Sequence, residues 1–235
     1  MWKYSFIGMN ASIFIFKEGK INMNILVAGF DPFGDEQINP AMEILKLLPK
    51  KINGSVIDKL EIPTVFHKSK TVIEGKLQQK VYDIVLVVGQ AGGRFEITPE
   101  RIAMNIDDAR IPDNEGNQPI DEVIQITGAQ AYFSNLPVKS MTAAIKAQGI
   151  PARLSNTAGT FVCNHILYQL GFLQDTQYPK MKFGFIHVPF IPEQVVNKVN
   201  QPSMSLEMME RGLQAAIATI VDTNEDIKKP LGEIQ

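Results

Sequence analysis

Two rhythms of apolar positions alternate along the chain. Asn24 to Gly29 is a compact apolar run, followed at once by the turn-rich Phe30-Asp31-Pro32-Phe33-Gly34, which predicts a strand with a tight exit. A helix is predicted from about Asn39 to Leu48, with Pro40 as its first residue and Ile44, Leu45 and Leu48 on its apolar face. Val56 to Val65 reads as a second, more polar strand, ended by Pro63-Thr64, and Lys68 to Lys80 as an amphipathic helix. Asp83 to Gly89 carries the unbroken run Ile84-Val85-Leu86-Val87-Val88, as in a parallel strand buried on both faces. After the loop Gln90-Ala91-Gly92-Gly93-Arg94, Ile102 to Ile106 alternates as a strand, and Asp107 to Pro119 is an ordered loop. Val138 to Gln148 is helical until Gly149-Ile150-Pro151. Ala152 to Ser155 is extended, Gly159 breaks it, and a new helix starts at Thr160, its predicted N-cap. Lys182 to Val188 is a further strand, closed by Pro189. From about Ser203 a long helix follows, with Leu206, Met209, Leu213, Ala216, Ile217 and Ile220 on one face. The charged tail from Asp222 is expected to fray.

Strands alternating with helices imply an α/β fold with a mostly parallel central sheet covered on both faces. In such a sheet ligands bind beyond the carboxyl ends of the strands. The loops after Gly29 and Gly89, the segment before Cys163 and the position of His187 are therefore expected to gather at one edge. Composition changes this picture little. The 235 residues suit one domain, and an apolar fraction of 45% with 20% charged residues is ordinary for a globular protein. A net charge of −2 without a basic stripe argues against a nucleic-acid partner. A single cysteine forms no internal disulfide, which points to a reducing, cytoplasmic setting. Residues 1–22 are expected to be an extension outside the fold, with 23–235 as the domain and its charged tail. The run Ile13-Phe14-Ile15-Phe16 is cut short by Lys17, Glu18 and Lys20, too short to span a membrane; a short edge strand from residues 11 to 16 is the alternative.

The chemistry converges on that one cysteine. Cys163 falls in the first turn of its helix, where free backbone N–H groups and the helix dipole favour a thiolate. It also shares a face with Ile166, Leu167 and Leu170, and on this helix alone a buried-core role reads as the stronger of the two. A cysteine nucleophile needs a base. Of His67, His165 and His187, His165 is turned about 200° away from Cys163 on the same helix. His187 ends a buried strand at the expected ligand edge and is the better partner; His67 and His165 read as surface or satisfied histidines. Glu96, Glu100, Asp107, Asp108 and Asp113 all lie in loops from which a carboxylate orients an imidazole, and pattern alone does not choose among them. The Gly89 loop matches neither a dinucleotide fingerprint nor a P-loop, and Cys163 with His165 lacks a second cluster at zinc spacing, so neither a metal nor a cofactor is expected.

Five motifs, in order, carry a resemblance. They are Gly29-Phe30-Asp31-Pro32-Phe33-Gly34, Ile97-Thr98-Pro99-Glu100-Arg101-Ile102-Ala103, Ala109-Arg110-Ile111-Pro112-Asp113-Asn114-Glu115-Gly116, Ala158-Gly159-Thr160-Phe161-Val162-Cys163-Asn164-His165 and Gly184-Phe185-Ile186-His187-Val188-Pro189. Together they resemble the pyroglutamyl peptidase type I family over Met23 to about Val221. The resemblance implies a single-domain, three-layer α/β/α sandwich and a cysteine peptidase that removes N-terminal pyroglutamate from blocked peptides. It places the catalytic triad on Cys163, His187 and Glu100, supplying the acid that spacing leaves open. It implies oxyanion donors at Arg110 and the Cys163 backbone, and a ring pocket from Phe30, Phe33, Thr64, Gln90, Ile111, Phe161 and Val162. It further implies assembly into a dimer or tetramer, for which the apolar-faced C-terminal helix offers a surface. The alternatives from other classes are a nucleoside- or phosphate-binding protein on a similar scaffold, and a protein that binds pyroglutamyl peptides without cleaving them.

Overall fold

The computed structural model describes residues 22–223 and 225–232. The extension, apart from its last residue, and the alternative edge strand at 11 to 16 lie outside the described residues.

Period-two alternation along three strands divides the core in two. In β1 (Asn24–Phe30), β4 (Ile84–Gln90) and β8 (Lys182–Val188), the residues Ile25, Val27, Ile84, Leu86, Val88, Ile186 and Val188 face one way. They pack on α1 (Pro40–Leu47), α3 (Val138–Ala147) and α6 (Leu206–Asp222). Leu26, Ala28, Val85, Val87, Phe183 and Phe185 face the other way, onto α2 (Lys68–Gln79) and α4 (Val162–Thr176). Two cores flanking one sheet make the three layers expected from the sequence, in a single domain. With β2 (Lys51–Ile52), β3 (Ser55–Ile62) and β5 (Thr98–Glu100), the order across the sheet is β2-β3-β1-β4-β8-β5. The inner four strands are parallel and both short edge strands antiparallel. A separate antiparallel ribbon joins β6 (Ile102–Met104) to β7 (Ala131–Phe133), and α5 (Pro192–Val195) follows β8. Among the described residues no helix is long and apolar enough to cross a membrane.

The departures from the sequence reading have local causes. β2, β5 and β7 are two or three residues long, too short to display a period of their own. β5 also holds Pro99, which a sheet edge tolerates. The strand at Ile102 stops at Met104 because the Asn164 side chain captures the backbone beyond it. The Asn164 Oδ1 accepts from Met104 N, and its Nδ2 donates to the carbonyls of Met104 and Ile106, all at 2.9 Å. The apolar face of α6 packs inside its own subunit, against α1 and α3, and so is not the subunit-facing surface that the sequence suggested.

The tail does not fray where it was expected to. Helix α3 follows Pro137 and has no side-chain cap of its own. Asp226 supplies one from the tail, its carboxylate accepting from Lys139 N at 2.9 Å and from Ser140 N at 2.8 Å. These are first-turn N–H groups that helix geometry leaves without partners. Replacing the carboxylate, Asp226→Ala, should cost about 1 kcal/mol, lowering the melting temperature by about 2–4 °C without changing catalytic rates. A calorimetric scan beside an activity assay checks this; an unchanged melting temperature would show that the tail does not cap α3.

Candidate active site

The parallel register brings the carboxyl ends of β4 and β8 level, so that Gly89 pairs with His187. Edge strand β5 runs antiparallel beside β8, with Thr98 opposite His187 and Glu100 opposite Phe185. Alternation then sets Thr98, Glu100, Phe185 and His187 on one face, the face covered by α4. Glu100 and His187 are diagonal neighbours there, within reach of a side-chain hydrogen bond. The imidazole Nδ1 lies 2.7 Å from Glu100 Oε1. Because an ionised carboxylate only accepts, Nδ1 carries the proton and Nε2 is left as the free base.

Glu100 is fully buried, and its charge is compensated. Arg94 donates through one guanidinium nitrogen to Glu100 Oε1 and to Thr98 Oγ1, each at 2.6 Å, and through the other to the Thr157 carbonyl at 3.2 Å. Burial pushes the Glu100 carboxyl up, but the His187 contact, the Arg94 charge and Ser155 together hold it below the usual carboxylate range. For His187 the balance runs the other way: burial and the Arg94 charge depress it, and the Glu100 contact only partly offsets them.

The thiol enters from the layer above. Cys163 occupies the second position of α4, and a Cβ built on Gly89 would sit 3.3 Å from Cys163 Sγ and 2.7 Å from the Phe185 ring. Glycine at this strand position is what lets the sulfur approach the sheet beside His187. The N-cap is Phe161, not Thr160, because the Thr160 hydroxyl donates to the Asp108 carbonyl at 2.7 Å. No side chain caps the helix, so the first N–H groups of the turn that holds Cys163 have no side-chain cap partner. The thiolate preference expected from the helix end is overridden. Burial, reinforced by the Glu100 charge, pushes the Cys163 thiol up to about 12, and Arg94 offsets only part of this. Burial thus favours the neutral form of both the thiol and the imidazole.

A second acid–histidine pair lies further along the same helix. His165 is fully buried and donates from Nδ1 to Asp107 Oδ2 at 2.7 Å, while its Nε2 accepts from the His67 backbone N–H at 3.3 Å. Both ring nitrogens are thus engaged, as expected of a satisfied core histidine. Cys163 lies instead over Gly89, the β4 residue that pairs with His187, and feels the charges of Glu100 and Arg94.

A chain that sets a cysteine, a histidine and a carboxylate together in this way matches the family model described as pyroglutamyl peptidase over residues 23–223. The chain belongs to the pyroglutamyl peptidase family. It is 69% identical over 211 residues to the pyrrolidone-carboxylate peptidase of Staphylococcus saprophyticus, covering 90% of this chain and 99% of the relative. The corresponding Streptococcus pneumoniae protein is 57% identical over 212 residues, covering 90% of this chain and 99% of its own. The crystal structure of pyroglutamyl peptidase I from Bacillus amyloliquefaciens superposes with a TM-score of 0.86 at 44% identity, covering 89% of this chain and all of that one.

The pocket residues expected of a pyroglutamyl peptidase divide into two sets. Phe33 and Phe66 both pack on Phe161, at ring distances of 6.3 and 5.3 Å, just ahead of the buried Val162. Phe30 packs on Phe185, whose ring is 4.6 Å from the His187 ring. Gln90, by contrast, follows Gly89 and so points to the opposite face, where its Oε1 accepts from Gln194 at 2.8 Å. The Thr64 hydroxyl donates to the Asp31 carbonyl at 3.2 Å, tying the first loop to the second. Arg110 and Ile111 are exposed, on a segment that Asp108 anchors beside Thr160 through paired backbone and hydroxyl bonds. Sequence reasoning missed Arg94 and Phe66. In the sequence Arg94 merely ends the loop that begins at Gln90, and nothing in the periodicity foretells the edge strand that brings Glu100 to it.

Gly89→Ala should retain the fold by circular dichroism yet lose about a hundredfold in activity, since the added methyl displaces the sulfur or the Phe185 ring. Unchanged turnover of a pyroglutamyl amide would mean that the close approach is unimportant.

Proposed function

We propose that the protein is a cysteine peptidase that hydrolyses the bond after an N-terminal pyroglutamyl residue, with Cys163 as nucleophile, His187 as general base and acid, and Glu100 orienting the imidazole. The observation that carries the reading is the Glu100–His187 contact of 2.7 Å beside the sulfur that Gly89 admits. Family membership and the names of the relatives support the substrate class.

The reaction follows from the resting charges. Cys163 attacks the carbonyl joining pyroglutamate to the next residue while its proton passes to His187 Nε2, and Glu100 stabilises the imidazolium so formed. The oxyanion is met by the Cys163 backbone N–H in the uncapped first turn and by Arg110; each such donor is worth about 2.7–4 kcal/mol of barrier. His187 then protonates the departing amine, leaving a thioester, and next takes a proton from the water that releases pyroglutamate. The lactam is neutral and flat, and suits walls made by Phe30, Phe33, Phe161 and Val162, with Thr64 and Ile111 around it; Gln90, held by Gln194 on the opposite face, is left out of the ring pocket. A charged, unblocked N-terminus would pay several kcal/mol to leave water for such a pocket, which gives the preference for blocked chains. The phosphate-binding alternative weakens, because the one cation of the Gly89 loop, Arg94, is paired with Glu100. The single cysteine supports a cytoplasmic setting. Exposed Ile120, Val123 and Ile126 support assembly into a dimer or tetramer.

The deciding experiment is release of a fluorogenic amine from a pyroglutamyl amide under reducing conditions, with Cys163→Ser and a prolyl amide as controls. Turnover of the pyroglutamyl substrate alone, abolished by the substitution, is expected. An inactive, folded wild-type protein would sink the reading, and activity surviving in Cys163→Ser would displace the nucleophile.

The raised thiol carries a sign for pH. A group held protonated by burial gains thiolate only as pH rises, so alkylation of the free enzyme by iodoacetamide should accelerate through the neutral range and beyond pH 9 or so. A rate already level below about pH 5 would reveal a preformed thiolate–imidazolium pair instead.

A further inference from the structure

We infer that Arg94 is a positioning residue for this reaction: it clamps Glu100 onto His187 and, as a fixed positive charge, sets the pH window in which the Cys163–His187 pair works. The inference rests on the peptidase reading above and assigns a role to a residue outside the triad.

The geometry is that of a clamp. One guanidinium reaches three groups on two elements: the Glu100 carboxylate and the Thr98 hydroxyl on β5, and the Thr157 carbonyl on the segment leading into α4. The planar fork of arginine suits such a multiple contact, and a lysine ammonium does not reproduce it. Arg94 and His187 share the same carboxylate atom, Oε1, at 2.6 and 2.7 Å. Glu100 therefore cannot swing away from the imidazole without also breaking the ion pair.

The electrostatics give the clamp a second effect. The charged groups acting on His187 are Glu100 from β5 and Arg94 from the preceding loop; the Cys163 thiol of α4 lies over Gly89, which pairs with His187, and Phe185 on its own strand is neutral. Glu100 favours a proton on the pair and Arg94 disfavours it, acting in the same direction on both Cys163 and His187. The pair gains and loses protons as a unit, so both limbs of its pH profile belong to the pair. Removing the positive charge strengthens proton binding in both steps. Both limbs then move to higher pH, whichever partner holds the shared proton.

The test compares kcat/KM against pH for wild type, Arg94→Met and Arg94→Lys, with melting temperatures alongside. Arg94→Met should lose about tenfold at pH 6 or so but only about twofold near pH 8, with both limbs displaced upward. Arg94→Lys should keep the limbs where wild type has them while lowering kcat. Alkylation of the only cysteine gives the same comparison without substrate, and should be several-fold slower in Arg94→Met near neutral pH. An equal loss at every pH, or limbs that stay in place in Arg94→Met, would overturn the inference and leave Arg94 as a structural tether. Absent turnover in wild type would strike the peptidase reading, with alkylation still deciding the case of Arg94.

Discussion

Everything in the site depends on the approach of one helix end to one strand end. A side chain larger than hydrogen at residue 89 would meet the Phe185 ring at 2.7 Å and the sulfur at 3.3 Å. The absence of a β-carbon there allows α4 to set Cys163 on the sheet, level with the residue that pairs with His187 in the parallel ladder. Parallel strands are regular, so a nucleophile held at the end of β4 is automatically held relative to the end of β8. The two cores fix the helix and sheet that meet at this point, which places catalytic precision in the scaffold rather than in the loops.

The second dependence is electrostatic. A carboxylate with no exposed surface is costly unless its charge is matched, and on a single oxygen Glu100 has the Arg94 charge and the His187 hydrogen bond. Arg94 with Glu100 is thus the ion pair of the site, beside a thiol and an imidazole whose neutral forms burial favours. Burial raises the thiol and depresses the imidazole, and the Glu100 and Arg94 charges act on both groups. The first turn of α4, which holds Cys163, has no side-chain cap, so its leading N–H groups have no side-chain cap partner.

Much of this was legible in the sequence because the inner strands and helices are long enough to show their period. Ile84 to Val88 announces a central strand, and the positions of Met209, Leu213, Ala216 and Ile217 announce one face of a helix. What stayed hidden depends on contacts between distant residues. Thr98 to Glu100 becomes a strand only because β8 offers an edge, and its three residues carry no periodicity. Thr160 has the chemistry of an N-cap, but its hydroxyl is taken by Asp108, 52 residues away. The tail is polar and charged, as a fraying end would be, yet Asp226 finds the bare N-terminus of a helix that begins after proline.

The five acids that pattern left equivalent show how a fold distinguishes identical functional groups. Glu96 faces Arg153 at 3.3 Å with part of its surface in water, an ion pair of the ordinary surface kind. Asp108 is exposed and acts through its backbone. Asp113 accepts from the backbone N–H groups of Phe66, Glu115 and Asn117, which ties the long loop to the second loop and holds its carboxyl below the usual range. Asp107 has a histidine, but that histidine is closed at both nitrogens and offers no free base. Glu100 alone among the five faces an imidazole whose other nitrogen is open and whose neighbour is a thiol. What sets the five apart is what each partner has left to give, and only the three-dimensional neighbourhood records it.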